Sequence, residues 1–162
     1  MADARMETKL EIIHLTELDA DMLARLARYG RDALGESALD EWMLPVIARY
    51  GLLFVGAAGG EIVGSAEVIR CMGDGDLYLE GLYIRPEHQR MGYGTQLLEG
   101  VMKLLAGKDF IRLLVTLAPD NDAGRSLYGN AGFSELEYLP VHYGPERDRL
   151  LLAAQLGSGA RS

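Results

Sequence analysis

Cysteine is almost missing from this chain: Cys71 is the one such residue among 162. A single thiol excludes an internal disulfide and a cysteine-built metal cluster within one chain, and it suits a reducing cytoplasm, the expected compartment. Cys71 has no CxxC partner and follows the apolar run Ile62–Ile69, so it reads as an ordinary strand-end residue. Long apolar runs are lacking too. No stretch approaches the roughly 20 apolar residues needed to cross a bilayer, and the first eight residues have no signal-peptide core. Basic residues are in deficit, 16 Lys and Arg against 24 Asp and Glu, for a formal net charge of −8. That balance disfavours unassisted binding to nucleic acid or anionic membranes and suits amine-bearing partners, although it also serves solubility alone. His14, His88 and His142 are scattered without ligand spacing, so no metal site is expected. Neither a repeat nor a low-complexity block interrupts the pattern.

What remains is a chain that is 49% hydrophobic, enough for one buried core. The expected organisation is a single domain over 9–156 with loose ends at 1–8 and 157–162. Leu10–Leu15 suits a first strand, and Met22, Leu26 and Tyr29 recur at helical spacing before Gly30. Over 37–50, Leu39, Trp42, Met43, Val46 and Ile47 share a helical stripe that Pro45 should kink or divide. Leu52–Val55 and Ile62–Ile69 flank a glycine turn and read as an antiparallel hairpin. Over 76–84 strict alternation puts Tyr78, Glu80, Leu82 and Ile84 on one face and Leu77, Leu79, Gly81 and Tyr83 on the other. A helix over 92–106 and a near-continuous apolar strand over 111–117 complete a βαβ crossover, so the strands at 76 and 111 should be parallel. Asn121 or Asp122 caps a further helix to about 130, and strands near 133–138 and 149–155 close the chain. The fold class is therefore α/β: a mixed, mostly antiparallel sheet with a central parallel βαβ unit, flanked by helices.

Gln89-Arg90-Met91-Gly92-Tyr93-Gly94-Thr95 stands where a strand hands over to a helix, a setting that favours an anion at exposed backbone N–H groups. Gly92 and Gly94 let the backbone approach a phosphate, and Arg90 adds a positive charge. Leu97 stands where a dinucleotide fingerprint needs its third glycine, and no Gly-Lys-Ser/Thr is present to make a P-loop. Taken alone, the segment is also compatible with a plain tight turn.

Gln89xxGly92xGly94 matches the signature of the GCN5-related N-acetyltransferases (GNAT), and the sequence resembles that family over about 50–138. Leu82-Tyr83-Ile84-Arg85-Pro86-Glu87 resembles the family's strand-and-loop entry, while Asn121, Leu127, Tyr128, Gly132 and Phe133 follow its downstream pattern. The resemblance implies a coenzyme A pyrophosphate held by Arg90, Met91, Gly92, Tyr93, Gly94 and Thr95, a pantetheine arm along the backbone of Leu82, Tyr83 and Ile84, and coenzyme contacts from Gln89 and Asn121. It implies that Tyr128 protonates the departing sulfur. It also implies the activity, transfer of an acetyl group from acetyl-CoA to a primary amine. Two departures stand out: Gly124 replaces the usual alanine, and Thr116 replaces the glutamate of ribosomal-protein N-terminal acetylators, which argues against that kind of acceptor.

Amine acetylation needs an unprotonated nucleophile, a polarised thioester and a proton for the leaving thiolate. Glu80 is the candidate general base, a carboxylate interrupting an apolar strand. A base on the next strand, a water chain, or a merely solvated Glu80 remain alternatives, as do a core role for Tyr128 and a plain helix cap for Asn121. His88, beside the glycine turn, is expected to border the phosphate. The acceptor is expected to be a small-molecule amine bound against the 17–50 region, where Glu36, Asp40 and Glu41 could attract a cation; a protein N-terminus or lysine is the alternative acceptor. A non-catalytic acyl-CoA sensor or an interaction module is the alternative function. A homodimer formed through the late strands is compatible with each.

Overall fold

The computed structural model describes residues 8–73 and 75–157. The loose ends expected at 1–8 and 157–162 lie outside these residues, except for Thr8 and Gly157. Seven strands form one sheet: β1 (Glu11–Leu15), β2 (Leu52–Ala58), β3 (Glu61–Arg70), β4 (Asp76–Ile84), β5 (Arg112–Leu117), β6 (Ser134–Leu139) and β7 (Arg149–Gln155). Their order is β1-β2-β3-β4-β5-β7-β6. Every pairing is antiparallel except β4 with β5. This is the mixed sheet with one parallel βαβ unit that the hydrophobic periodicity predicts. β6, expected at a two-fold interface, forms one edge of the sheet, and β1 forms the other.

Four helices cover the two faces: α1 (Ala20–Leu34), α2 (Leu44–Tyr50), α3 (Tyr93–Ala106) and α4 (Asp122–Asn130). On one face Leu97, Leu98, Val101 and Leu105 of α3 are fully buried against Val63, Leu77, Leu79 and Leu113. Each such leucine contributes about 1.5–3 kcal/mol by leaving water. On the other face α1 and α2 press Leu26, Ala27, Leu44 and Ile47 onto Leu53, Val55 and Tyr83.

Three expectations are corrected. First, α1 does not stop before Gly30 but runs to Leu34, where Gly35 at φ 63 ends it. Gly30 stays inside the helix because the space beside it is taken: a Cβ there would meet Ala38 at 3.3 Å and the Tyr83 ring at 3.7 Å. Second, Pro45 neither kinks nor divides a helix over 37–50. It sits in the first turn of α2, where the missing N–H has no intrahelical acceptor to lose, so the helix begins there. The buried stripe is then Leu44, Ile47 and Ala48, whereas Trp42 is 84% exposed and Met43 and Val46 face solvent.

The third correction concerns β4. Gly81 pairs with Glu67 of β3 and Leu79 with Val68, so Glu80 has no opposite number and forms a β-bulge. An extra residue inverts the alternation beyond it. Leu82 and Ile84 thus join Leu77 and Leu79 on the α3 face, and Tyr83 turns to the α1–α2 face.

Candidate active site

β4 and β5 are hydrogen-bonded partners only over Asp76–Tyr78 and Arg112–Leu114. At that closed end the Arg112 guanidinium grips Asp76 bidentately, Nε at 3.0 Å and Nη2 at 2.7 Å, and holds the Asp76 carboxyl below its ordinary pKa. Past Tyr78 the bulge bends β4 away while β5 continues along β7, and a cleft of about 780 Å³ opens between them. Its walls include Glu80, Leu82, Thr116, Asn121 and Tyr128. The β4 edge facing this gap carries backbone groups that no strand satisfies, which an extended ligand with amide groups could pair.

Tyr128 reaches the cleft from α4. Its ring packs edge-on to Phe133 at 5.2 Å, and burial of the phenol pushes its pKa up to about 12. A phenol so placed stays protonated at neutral pH and can serve as a donor. Glu80 is open to the cleft from the bulge, and the surrounding walls remove enough water to raise its pKa. Tyr78, whose hydroxyl lies 2.7 Å from Thr116 Oγ1, bridges the two strands between these groups. Its pKa is raised by burial. Tyr143 and Arg147 from the segment joining β6 to β7, Arg149 at the start of β7, Leu34 at the end of α1, and Glu36 and Ser37 after it flank the opening.

Beyond the end of β4 the glycine turn carries two left-handed residues, Arg90 at φ 64 and Gly92 at φ 82, directly before α3. Alternating backbone handedness turns successive N–H groups toward one side, and a helix of 14 residues adds its free N–H groups and positive dipole end there. No atom lies within 4 Å of a Cβ built on Gly92, so the approach is open. The Gln89 amide is engaged inward, Nε2 donating to the Ile84 carbonyl at 2.9 Å, which ties the turn to the end of β4.

The structure thus brings Glu80, Leu82, Asn121 and Tyr128 together on one cleft, with Arg90, Met91, Gly92, Tyr93, Gly94 and Thr95 beyond the end of β4 rather than lining it. Tyr83 points elsewhere, its hydroxyl donating to the Leu26 carbonyl at 3.4 Å and its backbone paired with Ser65. Asn121 caps α4, accepting from the Gly124 N–H at 2.9 Å. The departure at Gly124 has a local reason, since a Cβ there would stand 2.7 Å from the Asn121 amide nitrogen. His88 packs edge-on to Tyr93 of the turn, ring centroids 6.5 Å apart, and its buried Nε2 lies 3.5 Å from Glu61. The His14 ring packs tilted against Phe54, and His142 meets Tyr143 edge-on. Among the described residues no cluster suited to a metal ion occurs, and no helix is long and apolar enough to cross a membrane.

Sequence reasoning passed over Glu67. It is 4% exposed, lies in the middle of β3, and accepts from Ser65 Oγ at 3.1 Å. Burial is the main cause that pushes its pKa from 4.5 up to about 7, with the charge of Glu80 adding to it. A lone carboxylate within an otherwise apolar strand was the available signal.

The family model described as "Acetyltransferase (GNAT) family" matches residues 17–133. No curated protein matches the chain by sequence. Among solved structures, the ribosomal-protein-S18-alanine N-acetyltransferase of Escherichia coli superposes with a TM-score of 0.78 at 20% identity, over 94% of this chain and 97% of that one. A spermidine N-acetyltransferase chimera of Vibrio cholerae SpeG and hSSAT gives 0.76 at 16%, over 91% and 96%. A Bacillus subtilis acetyltransferase in complex with CoA gives 0.76 at 16%, over 91% and 99%.

Proposed function

This chain belongs to the acetyltransferase (GNAT) family, and on that premise we propose that it transfers an acetyl group from acetyl-CoA directly to the primary amine of a small molecule. The observation that carries this reading is the gap between β4 and β5, with a carboxyl and a protonated phenol on its walls. The residues fit the co-substrate: a left-handed turn with open backbone suits a pyrophosphate, and the unpaired β4 edge at Leu82 suits the amides of pantetheine. When bound, acetyl-CoA supplies the activated thioester.

Two protons leave the acceptor nitrogen as the amide forms. In our reading Glu80 takes the first from the ammonium and passes it to solvent, which frees the lone pair for attack on the thioester carbonyl. Tyr128 gives a proton to the departing sulfur, and the second nitrogen proton restores the phenol. Glu36 and Glu80 draw an ammonium toward the opening, and a volume of about 780 Å³ shared with pantetheine favours a compact acceptor. Release of free thiol from acetyl-CoA, followed over polyamines, amino acids and aminoglycosides, tests this directly. Turnover with one amine class supports the reading; tight acetyl-CoA binding without turnover of any amine or peptide would favour a non-catalytic sensor instead.

A further inference from the structure

Behind the bulge of β4 lies a second carboxyl that the scheme above leaves unused. Glu67 extends from β3 across the strand pair, and its Oε2 occupies the space over Gly81, so close that a Cβ on Gly81 would overlap it. Gly81 is the residue next to Glu80, and a small recess of about 10 Å³, room for about one water molecule, is lined by Glu67, Glu80 and Gly81 together. This recess sits on the α1 side of β4, while Glu80 also lines the large cleft, so Glu80 stands between the two.

The surroundings offer Glu67 no counter-charge. From β4 it faces Glu80 and the Tyr83 phenol; α1 contributes Leu26, Gly30 and Leu34; the following segment and α2 contribute apolar residues and Ser37. Across β2 it pairs with Leu53. None of these groups is basic, and among the described residues no salt bridge includes Glu67. A carboxyl buried to this degree without a cation is costly unless it holds a proton. Two neighbouring carboxyls in such a setting share one proton more readily than both ionise.

We propose that Glu67 is a positioning residue that shares with Glu80, across the bulge of β4, the proton leaving the acceptor ammonium. The step is a proton transfer alone: the N–H bond breaks, an O–H bond forms on Glu80, and the proton is then held between the two carboxyls until solvent takes it through the cleft. Gly81 is required at its position because only a residue without Cβ leaves room for the Glu67 oxygen. This inference rests on the acetyltransferase reading, but half of its test does not.

Carbon-13 NMR titration of the glutamate carboxyls in wild type and Glu67→Gln requires no turnover. In wild type the two carboxyls should give up their shared proton in an upper step, toward pH 7, that both signals report; in Glu67→Gln that step should vanish and leave Glu80 titrating alone at lower pH. The acid limb of kcat/KM should move the same way, with acetyl-CoA binding unchanged. Ser65→Ala, which keeps the carboxyl but removes a hydrogen bond that lowers its pKa, provides a second variant should Glu67→Gln fold poorly, and is expected to move the shared step and the limb the other way, to higher pH. An unmoved Glu80 titration and an unmoved limb would overturn the proposal. If wild type turns over no amine, the functional reading fails by itself, and the titration still decides whether the two carboxyls are coupled.

Discussion

Replacing Tyr128 with phenylalanine removes one oxygen from a ring whose packing on Phe133 is otherwise kept. Acetyl-CoA affinity, read by calorimetry, should therefore hold, while kcat falls roughly 100-fold, the scale of a lost proton donor; an unchanged kcat would remove the assigned role. Glu67 has a consequence for stability as well. Its pKa is raised in the folded chain, from 4.5 to about 7, so between those values the native state binds more protons than the unfolded one. Stability then falls as pH rises through that window. Thermal unfolding should show Tm of wild type dropping relative to Glu67→Gln as pH goes from 5 to 8, and parallel curves would contradict this. Of these residues, Tyr128 and Glu80 were legible in the sequence, one through its motif and one as a charge breaking an apolar strand. Glu67 breaks its strand in the same way, but nothing in the sequence says which face of a strand meets a bulge on its neighbour.

At the scale of elements, two glycines separate fold from binding. Gly92 has φ 82 with nothing near its would-be Cβ, so Gly92→Ala meets no clash and only the left-handed strain of about 1–2 kcal/mol. Weakened acetyl-CoA binding with a folded protein is the expected outcome, by calorimetry and circular dichroism. Gly64→Ala would instead push a Cβ onto the Tyr83 carbonyl oxygen, between β3 and β4, and should lower Tm far more than Gly92→Ala does. Strand and helix existence followed from periodicity because the apolar spacing is strong in α3, β3 and β5. The faces of β4 did not, because period-two reasoning has no signal for an extra residue, and Glu80 inverts everything after it. The start of α2 is hidden in the sequence for a similar reason: a proline reads as a breaker until its position within the turn is known.

At the scale of the whole molecule, helices cover both faces of the sheet, and its parallel pair separates after three residues on each strand. The cleft is thus a property of topology, and its chemistry comes from the bulge on one side and α4 on the other. A net charge of −8 surrounds it, so cationic acceptors should be drawn in by long-range attraction. Screening shortens that reach from about 10 Å at 0.1 M salt to about 3 Å at 1 M. KM for a polycationic acceptor is expected to rise with ionic strength while kcat stays level; a flat KM would deny the field any part in recognition. The central claim, that the β4–β5 gap and the glycine turn form an acetyl-CoA site, is tested most directly by calorimetric titration of the full chain with acetyl-CoA. The account predicts saturable binding of one molecule per chain, weakened in Gly92→Ala, and a folded wild-type chain that takes up no acetyl-CoA would contradict it.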